Sequence, residues 1–151
     1  MRKIIFVTLV SGLLLMASCA KTPPANPGGS WVFKQTTYNT TTCAATGNIL
    51  LASSASGSLT VNFYSFPTAS GYLTVASGGY PNTFSQVGIA ATVGNTANAL
   101  HYTSTGGNGQ QQVYVTLTNG KVNVSGTGIE MQNGASPYDS SALTLNITQL
   151  Q

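Results

Sequence analysis

The chain has 151 residues, two cysteines, one histidine and a formal charge of +3, with 5 % charged and 42 % hydrophobic side chains. That length suits one compact domain and excludes a multidomain assembly, while charge so sparse excludes a disordered polyelectrolyte or a coiled coil. Two of the positive charges, Arg2 and Lys3, lie in an amino-terminal segment with the marks of an export signal. The rest, Lys21, Lys34 and Lys121 against Glu130 and Asp139, leave a net charge of +1, no electrostatic footprint for nucleic acid.

Arg2 and Lys3 precede an apolar run from Ile4 to Met16, broken only by Thr8, Ser11 and Gly12. The run is shorter than the ~20 residues a membrane-spanning helix needs and matches the core of a signal peptide. It ends in Leu15-Met16-Ala17-Ser18-Cys19, which resembles the lipobox of bacterial lipoprotein precursors, with methionine where leucine is commonest. The resemblance implies cleavage before Cys19, a diacylglyceryl group on its thiol and acylation of the new amine. Two or three acyl chains hold a protein stably on a bilayer where one does not. With Ala20 after the cysteine, the chain resembles outer-membrane lipoproteins, which lack an aspartate there, and the resemblance favours the outer membrane, with the periplasmic and the external face both open. The stretch from Lys21 to Ser30, with three prolines and then two glycines, reads as a tether. The expected organisation is a lipoprotein signal peptide over 1–18, a lipidated cysteine and tether over 19–30, and a single domain over 31–151. With Cys19 alkylated, Cys43 has no partner in the chain, and a small buried hydrophobe is its expected role.

Past Ser30 the apolar residues recur with a period of two and not 3.6, and threonine is abundant, which favours half-buried strands. Trp31 to Thr37, Ile49 to Ala52, Tyr72 to Ala76 and Leu100 to Thr103 are weaker strand candidates. Stronger ones carry one-sided apolar sets: Leu59, Val61 and Phe63; Val87, Ile89, Ala91 and Val93; Leu143, Leu145 and Ile147. The strongest is the segment from Val113 to Ser125 around Asn119-Gly120, the preferred pair for a two-residue type I′ turn. That turn places Thr118 opposite Lys121, Leu117 opposite Val122 and Val115 opposite Val124, which puts every apolar side chain on one face. Simple alternation after Val124 would turn Glu130 inward, so a bulge at Gly126 or Gly128 is predicted to restore Ile129 and Met131 to the core. Asp139 after Pro137-Tyr138 is predicted to cap a turn or a single helical turn. Eight to ten short strands at this spacing predict an all-β, antiparallel sandwich, with a lipocalin-like barrel as the alternative.

The segments Trp31-Val-Phe33, Gly71-Tyr-Leu-Thr-Val75, Tyr102-x-Ser-Thr-Gly-Gly107 and Val122-x-Val-Ser-Gly-Thr-Gly128 resemble small all-β lipoproteins of Bacteroidota. The likeness runs from about Trp31 to Gln149 and implies fold and location but no activity. Gly29-Ser30-Trp31 also resembles the Gly-x-Trp opening of lipocalins, although the arginine that stacks on that tryptophan has no counterpart here.

Chemistry has few residues to draw on. Acid–base catalysis needs titratable groups gathered in a cleft, and only His101, Glu130 and Asp139 are present. His101 alternates out of phase with its neighbours' buried positions and reads as solvent-facing. Zinc needs His/Cys clusters and calcium several carboxylates, so neither a metal nor another cofactor is expected. The functional hint is aromatic: Tyr64, Tyr72 and Tyr114 fall opposite the apolar face of their strands, where rings stack on sugars while Asn, Gln and Thr bond hydroxyls. Trp31 is the fourth candidate contact, and it also suits a core plug where the tether meets the domain. The sequence supports a non-enzymatic, lipid-anchored envelope protein, a structural or interaction module whose partners are the membrane through Cys19 and a glycan or envelope protein. The alternatives are a lipocalin-like carrier of a small apolar ligand and a glycan-binding surface module.

Overall fold

A computed structural model describes residues 27–136 and 138–150; the signal segment, Cys19 and most of the tether lie outside them. Eleven strands run in chain order: β1 (Gly29–Phe33), β2 (Thr36–Asn39), β3 (Thr42–Thr46), β4 (Ile49–Ser54), β5 (Gly57–Phe63), β6 (Gly71–Val75), β7 (Gln86–Val93), β8 (Leu100–Ser104), β9 (Gln112–Thr118), β10 (Lys121–Asn133) and β11 (Ser140–Thr148). Among the described residues the fold is all-β, with only two single 3-10 turns, at Ser77–Gly79 and Gly107–Gly109. β1 starts at Gly29 and so takes up the last two residues of the stretch read as tether.

The strands form one continuous sheet in the order β2-β1-β11-β10-β9-β6-β7-β5-β4-β3, with β8 bridging β10 and β7. The sheet doubles over on itself in the manner of a β-sandwich and is not a closed barrel around a cavity, which corrects the lipocalin-like alternative. Contacts across the core define the two layers. Trp31 and Tyr38, stacked at 3.8 Å between ring centroids, lie over Gly57 of β5, and Phe33 meets the edge of Tyr102 at 4.7 Å. At the open margin the Leu150 N–H donates to the Cys43 carbonyl (2.7 Å), tying the chain's end onto β3.

The interior is filled. Trp31, Phe33, Leu50, Leu59, Val61, Ile89, Ile129, Met131 and Leu143 are fully buried, each apolar side chain contributing roughly 1.5–3 kcal/mol. The alternating sets read from the sequence on β5, β7 and β11 all point into this core. The β9–β10 hairpin has the predicted register, Thr118↔Lys121, Leu117↔Val122 and Val115↔Val124. Asn119 and Gly120 hold φ of 51° and 75°, as the type I′ turn requires. The predicted bulge is present too: β10 gains a residue on β11 between Gly126 and Ile129, with Gly128 at φ 67°.

Three expectations need correction. The segment Trp31 to Thr37 is not one strand but the hairpin β1–β2, turning at Lys34-Gln35 with φ of 48° and 63°. Neither residue favours that left-handed region, which costs on the order of 1–2 kcal/mol per residue, so the turn left no mark in the sequence. The strands number eleven and not eight to ten, because β2 and β3 were not anticipated. They are also not wholly antiparallel: β6 pairs with β7 in parallel at Thr74↔Gln86 and Val75↔Val87, a contact between segments that no local pattern announces.

Packing is close where β7 passes the Ser77–Gly79 turn. A Cβ at Gly88 would stand 2.0 Å from the Gly79 carbonyl oxygen, backbone against backbone. Gly88→Ala is therefore expected to lower the urea midpoint by the equivalent of about 1–3 kcal/mol or more. Gly134→Ala, at a site with nothing within 4 Å, should stay within about 0.5 kcal/mol of the parent. Equal midpoints for the two variants would contradict this packing.

Candidate functional site

The few ionisable side chains are drawn into structural contacts. Lys34, held at the β1–β2 turn, donates from Nζ to the Tyr102 hydroxyl (2.7 Å) and pairs with an Asp139 carboxylate oxygen. The Tyr102 hydroxyl in turn donates to the other Asp139 oxygen (2.6 Å). This triangle clamps the β1–β2 turn, β8 and the segment leading into β11, across 105 residues of sequence between Lys34 and Asp139. The expected turn forms, with the Asp139 N–H donating to the Ser136 carbonyl (2.9 Å), but the Asp139 carboxylate serves this triangle in place of the expected cap, and β11 begins at Ser140. The two hydrogen-bonded partners hold Asp139 below its ordinary 3.8, and Asp139 first, then Tyr102, raise Lys34 above 10.5.

The remaining ionisable groups are held elsewhere. His101 is exposed on β8, within 3.0 Å of the Thr92 hydroxyl through Nδ1. Glu130 accepts from the Thr105 hydroxyl (3.0 Å), and Lys121 donates to the Leu150 carbonyl (2.5 Å). His101, Glu130 and Asp139 thus have separate partners. Cys43 is buried, and burial pushes its thiol up to about 11, which makes it a poor nucleophile at neutral pH.

The aromatic candidates separate into three places. Trp31 is fully buried and stacked on Tyr38, inside the core and not on a face. Tyr64 leans on Phe84 at 4.6 Å, beside the loop after β5. Tyr72 and Tyr114 come together: they are direct cross-strand neighbours on β6 and β9, 4.8 Å between centroids with planes tilted by 50°. Both are exposed, by 69 % and 39 %. They border a shallow hollow of about 420 Å³ whose other walls include Gln112, Ser125, Thr127 and Asn146. The outward direction of these tyrosines is legible in the alternation; their adjacency is not, because it depends on β6 pairing with β9. A second hollow, of about 380 Å³, lies under the loop after β5 among Phe66, Leu73, Phe84 and Val115. Sequence reasoning missed it because two of its walls belong to that loop and the turn before β7.

No family model, curated protein or solved structure matches the chain.

The clamp fixes the sign of a pH effect. Asp139 has a folded-state pKa below its unfolded one, so its contribution is complete above the ordinary carboxylate value. It is lost as pH falls through 3.8 towards the folded value. Lys34 behaves oppositely, its contribution present below 10.5 and lost as pH rises beyond it. Asp139→Asn should therefore be less stable than the parent at neutral pH, with the gap closing as the solution is acidified below about 4. Urea midpoints of both proteins across that range check this, and a gap that persists at acid pH contradicts it.

Proposed function

We propose that the chain is a lipid-anchored, non-enzymatic binding module of the outer-membrane envelope, one of the all-β lipoproteins it resembles. The observation that carries the proposal is Leu15-Met16-Ala17-Ser18-Cys19 at the end of a short apolar run behind Arg2 and Lys3. Acylation of Cys19 would fasten the domain through its tether, consistent with the domain's first strand starting soon after, at Gly29. Support for a binding role comes from the use the fold makes of its charges. Lys34, Asp139, Lys121, Glu130 and His101 each hold a contact within the fold, while Tyr72 and Tyr114 pair with each other and keep their rings exposed to solvent.

Metabolic labelling with an alkyne palmitate analogue in a diderm bacterial host tests the anchor. The parent chain should take up the label and need detergent for extraction, and Cys19→Ala should lose the label and become soluble. An unlabelled parent, or label retained by Cys19→Ala, would refute the anchor.

The second reading, a carrier of a small apolar ligand, is favoured by the hollow among Phe66, Leu73, Phe84 and Val115, although not at the Trp31 end where a lipocalin would open. Its volume falls within the range of small-molecule sites. Saturable binding of a fluorescent fatty acid that Phe84→Ser abolishes would select this reading.

A further inference from the structure

We infer that the outer face of the β6-β9-β10-β11-β1-β2 layer binds an uncharged carbohydrate chain laid across its strands, with Tyr72 and Tyr114 as the stacking platform. The inference names a ligand for the binding module proposed above and rests on that reading only for its place in the envelope.

The ladders line up one uninterrupted row across six strands. Tyr72 faces Tyr114, Tyr114 faces Ser125, Ser125 faces Asn146, Asn146 faces Ser30 and Ser30 faces Asn39. Residues paired in register point to the same side of a sheet, and this side is solvent, because their neighbours Val113, Val124, Leu145, Trp31 and Tyr38 are buried. At ~4.8 Å between strands the row is roughly 24 Å long, enough for several sugar rings in succession.

Shape and chemistry both follow from the fold. At Ser125 β10 loses β9 as its neighbour, and it gains β8 only from Met131. Between them Thr127 and Gly128 have no strand partner on the β9/β8 side and lie opposite the single residue Thr144 of β11 at the bulge, and the hollow opens at this fork, bordered by β10, β11 and the rings of Tyr72 and Tyr114. Apolar C–H faces of a sugar pack on such rings, which keep a hydroxyl for bonding. Amides and hydroxyls along the row match sugar hydroxyls as paired donors and acceptors. One amide is already set: Asn123 Nδ2 donates to Asn146 Oδ1 (3.0 Å) and to the Thr148 hydroxyl (2.8 Å), leaving the Asn146 Nδ2 hydrogens for a ligand. The hollow has no charged side chain in its walls, so it has nothing to select an anionic polymer, and its one large apolar lining residue besides the tyrosines, Leu145, is buried, which leaves it without the exposed aliphatic or arginine anchors of a protein interface.

Affinity electrophoresis of the full chain tests this, in gels holding dextran, mannan, xylan or β-glucan, with alginate as the anionic comparison and a detergent free of sugar headgroups. At least one neutral polysaccharide should retard the protein, salt should leave the retardation unchanged, and alginate should have no effect. Tyr72→Ala with Tyr114→Ala should weaken binding about tenfold or more, Asn146→Ala should weaken it, and Tyr72→Phe and Tyr64→Ala should preserve it. Thermal melts matching the parent show that the variants fold. Retardation by none of the neutral polymers, by alginate alone, or undiminished in the double variant would overturn the inference. Each of these results is independent of Cys19 labelling, so the anchor and the sugar face fail separately.

Discussion

The extra residue in β10 between Gly126 and Ile129 is the constraint on which the rest of this structure depends. Before it, alternation buries Val122 and Val124; after it, Ile129 and Met131 are buried where unbroken parity would have turned in Glu130 and Gln132. Because side chains alternate with a period of two, one residue decides which half of a strand meets the core. The same irregularity bends the strand at the point where its neighbour changes from β9 to β8. A single 13-residue strand thereby serves both layers of the folded sheet.

What the sequence disclosed was local. The Asn119-Gly120 turn, the parity shift near Gly128 and the buried sets on β5, β7 and β11 each follow from residues a few positions apart. What it concealed depends on partners far along the chain or on turns without a favoured residue. Lys34 and Gln35 carry no turn signal, yet both adopt positive φ. The small residues Cys43 and Ala45 give β3 too faint an alternation to read. Asp139 looks like a cap until Lys34 and Tyr102 are brought to it, and the tyrosine pair exists only because β6 returns beside β9. The candidate site was therefore legible as a list of outward aromatics, but not as a place.

Scarcity of charge shapes both halves of the account. A chain with this few ionisable side chains cannot stabilise itself by an ion-pair network, and isolated surface pairs contribute little, so its stability comes from the filled core. Lys34 and Asp139 act instead as a positional clamp, fixing a turn whose backbone is unfavourable by itself. The outer face is then left to hydroxyls, amides and tyrosines. Such a face has no long-range electrostatic attraction, and it suits a ligand recognised by stacking and hydrogen bonds at short range.

The dependence on β10 parity is tested most directly by inserting one glycine after Gly128 and, separately, one after Gly134, and measuring urea unfolding of both proteins. The account predicts that the insertion within β10 turns Glu130 and Gln132 inward and abolishes or strongly weakens the cooperative transition, while the loop insertion unfolds close to the parent. Equal midpoints for the two insertions would contradict it.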